Sequence, residues 1–315
     1  MKILVTGGAG FIGSHLVRAL LLEGHQVTVL DDFNDFYNPA IKRSNLADIA
    51  NHVAIVEGDL RDEAAVQEIF SKARPEVTIH LAARAGVRPS ILHPKLYLET
   101  NVNGTFHVLE AARLCGCERM IFASSSSVYG LATTVPFHEE LALPQTLSPY
   151  AATKLAGEQL CGNFSYLYGM KTVSLRFFTV YGPGQRPDLA IHAFTHAITL
   201  GRPIKKFGDG STRRDYTYID DIVQGVIGAI SYDKKSFDIF NLGGHKTTSL
   251  TELIALIEKA VGRTAIIEEH PEQKGDMPLT YAQISKAQQF LGYNPKTPIE
   301  IGIPKFVEWY QQTTH

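Results

Sequence analysis

Tyr150 and Lys154 stand four residues apart in Tyr150-Ala151-Ala152-Thr153-Lys154, just behind Ser148-Pro149, and a serine run from Ser124 to Ser127 lies upstream. Ser-Pro is a sensible helix start. On a helix, residues four apart share one face. A phenol and an ammonium so placed, with a hydroxyl nearby, can move a proton. A free phenol titrates near about 10, so ionising it at neutral pH costs roughly 4 kcal/mol. A neighbouring positive charge lowers that cost. Ser125 closes the apolar run Met120–Ala123, and its hydroxyl can share a substrate proton with the phenolate. The bland alternative is an amphipathic helix with an incidental tyrosine and lysine.

A second pattern opens the chain. Gly7, Gly10 and Gly13 follow the apolar run Ile3-Leu4-Val5 at three-residue steps, with Phe11 and Ile12 inside the pattern. Glycines let backbone approach a pyrophosphate, and the next helix offers its N-terminal N–H groups. A plain tight turn between strand and helix is the competing reading. Asp31 and Asp32 close the second apolar run. A carboxylate there binds ribose hydroxyls and repels a 2′-phosphate, which favours NAD over NADP. Two turn or capping aspartates would look the same, more easily for Asp32 than for Asp31. Asp59, in Gly58-Asp59-Leu60, could reach an adenine amine, although aspartate also caps helices. A dinucleotide loop and a Tyr–Lys pair in one chain point to proton movement coupled to hydride movement.

The elements that must carry these groups are readable from the period of the apolar residues. Ile3–Val5, Val27–Leu30, Val53–Val56, Val77–His80, Met120–Ala123 and Val173–Leu175 read as short strands. Helical periodicity fills Ile12–Leu22, Ala64–Lys72, Tyr97–Leu114 and Ala151–Leu167. Alternation at this spacing predicts a doubly wound α/β fold, a parallel sheet with helices on both faces. The pattern changes near residue 180, at the irregular Gly182-Pro183-Gly184-Gln185-Arg186-Pro187. A smaller mixed α/β lobe is expected to follow. The predicted division gives residues 1–180, plus about 215–245, to the dinucleotide domain, and 181–214 with 246–315 to the substrate lobe.

Composition narrows the function classes. The 315 residues are 44% hydrophobic and 20% charged, with a net charge of -2. That balance argues against coating nucleic acid or a membrane surface. Cys115, Cys117 and Cys161 are too few for a disulfide framework, and Cys115-Gly-Cys117 lacks a second pair at zinc spacing. No metal is expected, and buried thiols in a reducing cytoplasm are the better reading. No stretch approaches membrane-spanning length.

Taken together, the chain resembles the extended short-chain dehydrogenase/reductases of the nucleotide-sugar epimerase and dehydratase group. The motifs span nearly its whole length: the glycine loop, His80-Leu81-Ala82-Ala83, Asn101-Val102-Asn103-Gly104-Thr105, Ser125 to Gly130, Tyr150 to Lys154, Phe207-Gly208-Asp209-Gly210, Arg214-Asp215-Tyr216 and Asn241-Leu242-Gly243-Gly244. The resemblance implies a Rossmann-like sheet, bound NAD lined by Leu60, Leu81, Ala82, Ala83 and Asn101, and a UDP-sugar substrate. It implies catalysis by Ser125, Tyr150 and Lys154, a diphosphate held by Arg214, and uracil against Phe207. An ion pair from Arg214 to Asp215 or Asp220 is the structural alternative, and the two can coexist. The similar dehydratases carry Thr-Asp-Glu before Val-Tyr-Gly, and the similar decarboxylases a Glu; here Ser126 and Ser127 stand there. Epimerisation at C4 is the remaining reaction.

For the sugar, Arg84-Ala85-Gly86-Val87-Arg88-Pro89-Ser90 resembles the Gly-Val-Arg loop of UDP-glucuronate 4-epimerases. Phe177 to Pro183 with Arg186-Pro187-Asp188 resembles their carboxylate-binding loop, with Thr179 where UDP-galactose epimerases place Asn. Arg88, Ser125, Ser126, Thr179, Arg186, Phe207, Arg214 and Asp276 are thus the expected substrate contacts. Arg186 could instead be a solvated loop residue or a phosphate contact. Thr280 stands where a bulky tyrosine narrows some UDP-glucose-specific relatives, which leaves a relaxed UDP-glucose or UDP-N-acetylglucosamine epimerase as the alternative. The resemblance also implies a homodimer, paired through the helices near Tyr97–Leu114 and Ala151–Leu167.

Overall fold

The computed structural model describes residues 1–143, 145–244, 246–272 and 277–313. Strand β1 (Lys2–Thr6) runs through the glycine loop into α1 (Phe11–Leu22); then come β2 (Gln26–Asp31), α2 (Pro39–Asn45), β3 (Ala54–Glu57), α3 (Glu63–Ala73) and β4 (Val77–His80). Next are α4 (Val87–Leu92), α5 (Pro94–Leu98), a π-helical turn (Glu99–Asn103), α6 (Gly104–Leu114), β5 (Arg119–Ser125) and α7 (Pro149–Tyr168). The rest is β6 (Lys171–Phe177), β7 (Thr179–Tyr181), α8 (Ala190–Thr199), β8 (Pro203–Phe207), β9 (Arg213–Tyr218), α9 (Ile219–Ile230), β10 (Phe237–Leu242), β11 (Thr247–Ser249), α10 (Leu250–Val261), β12 (Ile266–His270), α11 (Ser285–Leu291) and α12 (Ile299–Thr313).

Seven parallel strands make one sheet in the order β10-β6-β5-β4-β1-β2-β3. This is the doubly wound, Rossmann-like architecture. Its inner strands are buried on both faces, as a parallel sheet requires, while the edge strand β3 is largely exposed. Val5, Val29, Ile79, Ile121 and Val173 point to one side, where Leu16, Leu20, Ile222 and Val226 of α1 and α9 cover them. Leu4, Leu30, Met120 and Phe122 point to the other, under Val66, Phe70, Val108, Leu109 and Cys161 of α3, α6 and α7. Each such side chain contributes about 1.5–3 kcal/mol when fully buried. The strand order reverses between β1 and β4, so a crevice opens at their carboxyl ends.

The structure departs from the sequence pattern in three places. The helix expected over Tyr97–Leu114 is interrupted by the π turn, because Asn101 turns its amide to the backbone of Arg84, donating to its carbonyl at 3.0 Å and accepting from its N–H at 2.8 Å. Two short helices, α2 and α4, occupy stretches too brief to show a period. A seventh strand, β10, pairs in parallel with β6. Beyond the main sheet, β11-β9-β7 form a three-stranded sheet and β12-β8 a parallel pair. The lobe boundary proposed from the sequence runs through the three-stranded sheet, since β7 covers residue 180 and β9 covers residue 215.

All three cysteines are free thiols. Among the described residues no cluster of His, Cys, Asp and Glu could hold a metal ion, and no helix is long and apolar enough to cross a membrane.

Candidate active site

A cleft of about 480 Å³ lies along the carboxyl ends of the central strands. Its floor is the glycine loop. Gly7 N–H donates to the Leu30 carbonyl at 2.7 Å, and Gly10 N–H to the Gly7 carbonyl at 3.1 Å. Gly7 has φ +71°, and a Cβ there would lie 2.7 Å from the Ala82 nitrogen. Gly13 packs against the Gly7 carbonyl, so a side chain there would drive α1 off the loop. The first turn of α1 therefore opens its N–H groups onto the cleft, a cradle for a pyrophosphate. Gly7, Gly10, Phe11, Ile12, Gly13, Leu60, Leu81, Ala82 and Ala83 all line it. The chemistry of this lining fits NAD.

At the ribose end Asp31 and Asp32 both face the cleft. The Asp31 carboxylate accepts the Ala9 N–H at 3.1 Å and the Phe33 N–H at 3.0 Å. Burial raises its pKa above the usual carboxylate value, and the Lys42 ammonium at 3.7 Å works in the opposite direction. Lys42 also lies 3.8 Å from Asp32, and Arg84 reaches Asp32 at 3.7 Å. Neither cation was expected here, since their spacing carries no signal. Asp59 lines the cleft too, but Arg61 engages both its oxygens at 2.9 and 3.0 Å. Asn101 is buried and not on the cleft wall, and its amide also donates to Thr153 Oγ1 at 3.1 Å. These bonds tie Asn101 to the backbone of Arg84 and to α7.

The three residues expected to be catalytic meet in the cleft. Ser148 caps α7 by accepting the Ala151 N–H at 3.2 Å, and Pro149 starts it. Tyr150 and Lys154 therefore emerge one turn apart, and Ser125 ends β5 beside them. The Ser127 hydroxyl and N–H donate to Ser125 Oγ at 2.9 and 3.2 Å. Burial pushes the Tyr150 phenol upward, while its hydrogen bond with Ser125 and the charge of Arg186 pull it back. Lys154 is buried, and desolvation lowers its pKa to about 8. Its ammonium donates to the Ala123 carbonyl at 2.7 Å and lies 5.9 Å from the centre of the Tyr150 ring. Tyr97 packs edge-on against Tyr150, with ring centres 6.3 Å apart, and donates to the Ala85 carbonyl at 2.8 Å. Tyr97 was not expected in the site; it stands on α5, two residues before the π turn.

Toward the far end, Ser126, Thr179, Arg186, Arg214 and Thr280 line the cleft. The Arg186 fork already engages Asp188, Nε to Oδ1 at 3.0 Å and Nη2 to Oδ2 at 2.7 Å, which leaves Nη1 outside that pair. Arg214 Nη1 donates to the Arg213 carbonyl at 3.0 Å, while Asp215 turns away to accept the Gly244 and Ala282 N–H groups at 2.6 and 3.1 Å. Arg88 and Phe207 are not on the wall of this cleft. They stack on each other, the guanidinium carbon 5.0 Å from the ring centre. Asp276 lies outside the described residues.

The comparisons with known proteins agree with this geometry. Residues 3–243 match the model of the NAD dependent epimerase/dehydratase family. UDP-glucuronate 4-epimerase 3 of Arabidopsis thaliana is 41% identical, over 98% of this chain and 76% of its own length. Bacillus cereus UDP-glucuronic acid 4-epimerase, solved with UDP-glucuronic acid and NAD, is 35% identical over 99% of both chains, with a TM-score of 0.92. Thermotoga maritima UDP-glucose 4-epimerase, solved with UDP-glucose, is 33% identical over 100% of both chains, also with a TM-score of 0.92. With its glycine cradle, its Ser–Tyr–Lys trio and a match over residues 3–243, the chain belongs to the NAD-dependent epimerase/dehydratase family.

Proposed function

We propose that this enzyme, an NAD-dependent UDP-sugar 4-epimerase, interconverts UDP-glucuronate and UDP-galacturonate, with Tyr150 as the base. The observation that carries the substrate assignment is the meeting of Thr179 and Arg186 in the cleft that also holds Ser125, Ser126 and Tyr150. A guanidinium holds a carboxylate through two parallel hydrogen bonds. Arg186 has its Nη1 edge available for the C6 carboxylate while Asp188 holds the other edge.

Bound NAD supplies a reversible hydride acceptor for C4, so inversion follows if the 4-keto sugar turns over before it is reduced. The protein's part is proton movement and orientation. Tyr150 takes the 4-hydroxyl proton, Ser125 shares it, and the Lys154 ammonium and Arg186 keep the phenolate accessible. The 4-keto form of glucuronate is a β-keto acid. Its C5–C6 bond breaks most readily when aligned with the carbonyl π system, and a fixed carboxylate resists that alignment.

A second reading, relaxed action on UDP-glucose or UDP-N-acetylglucosamine, is favoured by Thr280. This small, buried residue lines the cleft and leaves room around the sugar. The test is incubation with a panel of UDP-sugars, without added NAD, resolved by chromatography. Epimerisation of UDP-glucuronate well above the others is expected. Tyr150→Phe should lower turnover by about 10²–10⁴-fold with NAD content unchanged. Activity within a few fold of wild type would remove the base from Tyr150.

A further inference from the structure

Behind the catalytic trio lies a buried polar chain that the proton transfer itself does not use. Glu158 follows Lys154 by one turn of α7, so Tyr150, Lys154 and Glu158 form one stripe down the helix. Each contacts one of the last three residues of β5, Ala123 to Ser125. Glu158 accepts from the Ser124 hydroxyl at 2.5 Å, Lys154 donates to the Ala123 carbonyl at 2.7 Å, and Tyr150 bonds with Ser125. Arg176, paired with Ser124 across the sheet, clamps Glu158 with Nε to Oε1 at 2.9 Å and Nη2 to Oε2 at 2.8 Å. The side chains of Glu158 and Arg176 are 0% and 2% exposed.

The chain continues into two motifs without an assigned role. The Arg176 guanidinium lies over the Tyr129 ring at 4.8 Å, and the Tyr129 hydroxyl donates to Asn241 Oδ1 at 2.7 Å. Asn241 in turn donates to the carbonyls of Phe137 and Gln283 at 2.9 and 3.2 Å. The Val-Tyr-Gly and Asn-Leu-Gly-Gly stretches are thereby tied to the catalytic helix.

We propose that Glu158, clamped by Arg176, is a positioning residue: it draws Ser124 onto α7 and so fixes Ser125 opposite Tyr150, while its charge serves the Lys154 ammonium. This rests on the Ser125–Tyr150–Lys154 assignment above. Stability alone does not explain the pair. Burying two charges costs desolvation, and apolar residues of similar volume often serve a core as well or better. What an apolar pair would not do is hold the hydroxyl next to the catalytic serine or place a negative charge one turn from the lysine. The groups acting on Lys154 are Tyr150, Glu158 and Cys161 on its own helix, the Phe122 ring and Ala123 carbonyl on β5, and His80 on β4. Burial lowers the Lys154 pKa, and Cys161 and then Glu158 raise it; of these groups Glu158 is the one carboxylate among the described residues.

Three variants of the full chain test the idea. Ser124→Ala removes only the hydroxyl and should lower kcat about tenfold at unchanged KM and NAD content, because small misplacements in an active site carry costs of that order. Glu158→Gln keeps an acceptor but not the charge. It should lower kcat as well and move the alkaline limb of the pH–rate profile to lower pH, since Lys154 then loses its proton earlier. Glu158→Leu with Arg176→Met supplies a folded reference if the single change fails to fold, and it should stay folded with poor turnover. Wild-type kcat in Ser124→Ala, or a wild-type rate and pH profile in the double variant, would overturn the proposal. Tyr150→Phe serves as the control: if it is inactive while these variants are fully active, only the positioning role falls.

Discussion

At the scale of single residues, burial in the site disfavours the charged form of two groups. Tyr150 is pushed up by burial and Lys154 down to about 8. The lysine's burial is a stability cost. An unfolded lysine titrates near about 10.4. Below pH 8 both states carry the proton, and the cost is fully present. Between the two values the unfolded state binds more protons, so stability rises with pH and the cost fades. A tenfold loss of proton affinity is worth about 1.4 kcal/mol, which puts the cost at about 3 kcal/mol, offset by about 1 kcal/mol from the bond to Ala123. Lys154→Met should therefore gain about 2 kcal/mol in denaturant unfolding at pH 7, with the gain shrinking toward pH 10 and turnover lost. A variant less stable than wild type at pH 7 would show that the ammonium is not held at a cost. Arg186→Ala addresses specificity at the same scale. Losing a charge-assisted pair of about 1.5–3 kcal/mol should cut kcat/KM on UDP-glucuronate roughly tenfold to hundredfold more than on UDP-glucose. Some UDP-4-keto-pentose should appear by mass spectrometry: CO2 leaves from C5, its electron pair enters the enolate, and a proton from water completes the ketone. Because Arg186 also faces Tyr150, a shared loss on both sugars is expected; the selective part is the test. No selective part would move the assignment to the relaxed UDP-hexose reading.

At the scale of elements, the sequence revealed what depends on short-range geometry. The glycine loop, the capped helix start at Ser148-Pro149 and the six β-branched runs appear where their periods and spacing put them. These features are set by one residue type meeting one backbone demand. What was not legible depends on partners distant in the chain. Lys42 reaches Asp31 and Asp32 only because α2 folds back over the β2 end, and Arg176 meets Glu158 only through the register of β5 with β6. The π turn likewise follows from the bonds of Asn101 to Arg84, which no helical period encodes. Arg88 and Phe207 matched family motifs yet stack on each other away from the cleft wall. A sharp element-level consequence attaches to Gly13. Its Cα packs on the Gly7 carbonyl, so Gly13→Ala must open the loop. Overpacking of this kind costs about 1–3 kcal/mol. The purified variant should carry far less NAD and melt earlier, while Gly24→Ala, at a glycine with open space around it, should keep its NAD. Full NAD content in Gly13→Ala would mean that the loop can relax without losing the cradle.

At the scale of the whole molecule, α6 and α7 have two sides with different duties. Their inner side packs on the sheet and carries Tyr150 and Lys154 toward the cleft. Their outer side shows an aromatic strip: Phe106 meets Phe164 at 6.0 Å between ring centres, Phe164 meets Tyr168 at 5.2 Å, and Arg113 lies over Tyr168 at 4.9 Å. Phe106 and Tyr168 are 41% and 53% exposed, and Leu114 at the end of α6 is exposed as well. A contiguous patch of this kind marks an association surface, whereas scattered apolar residues do not. We propose that a second copy of the chain covers it, two helices from each subunit packing about a two-fold axis. A stable interface of that type buries roughly 800 Å² per partner. Paired subunits would also support the outer side of the helix whose inner side holds the catalytic stripe. The expected outcome is a dimer by sedimentation or light scattering at micromolar concentration, with a melting temperature that rises with concentration. Phe106→Glu with Tyr168→Glu should give a monomer that still carries NAD, because neither residue lines the cleft. A wild-type chain that is monomeric at those concentrations, or a double variant with the wild-type mass, would leave the strip without this partner.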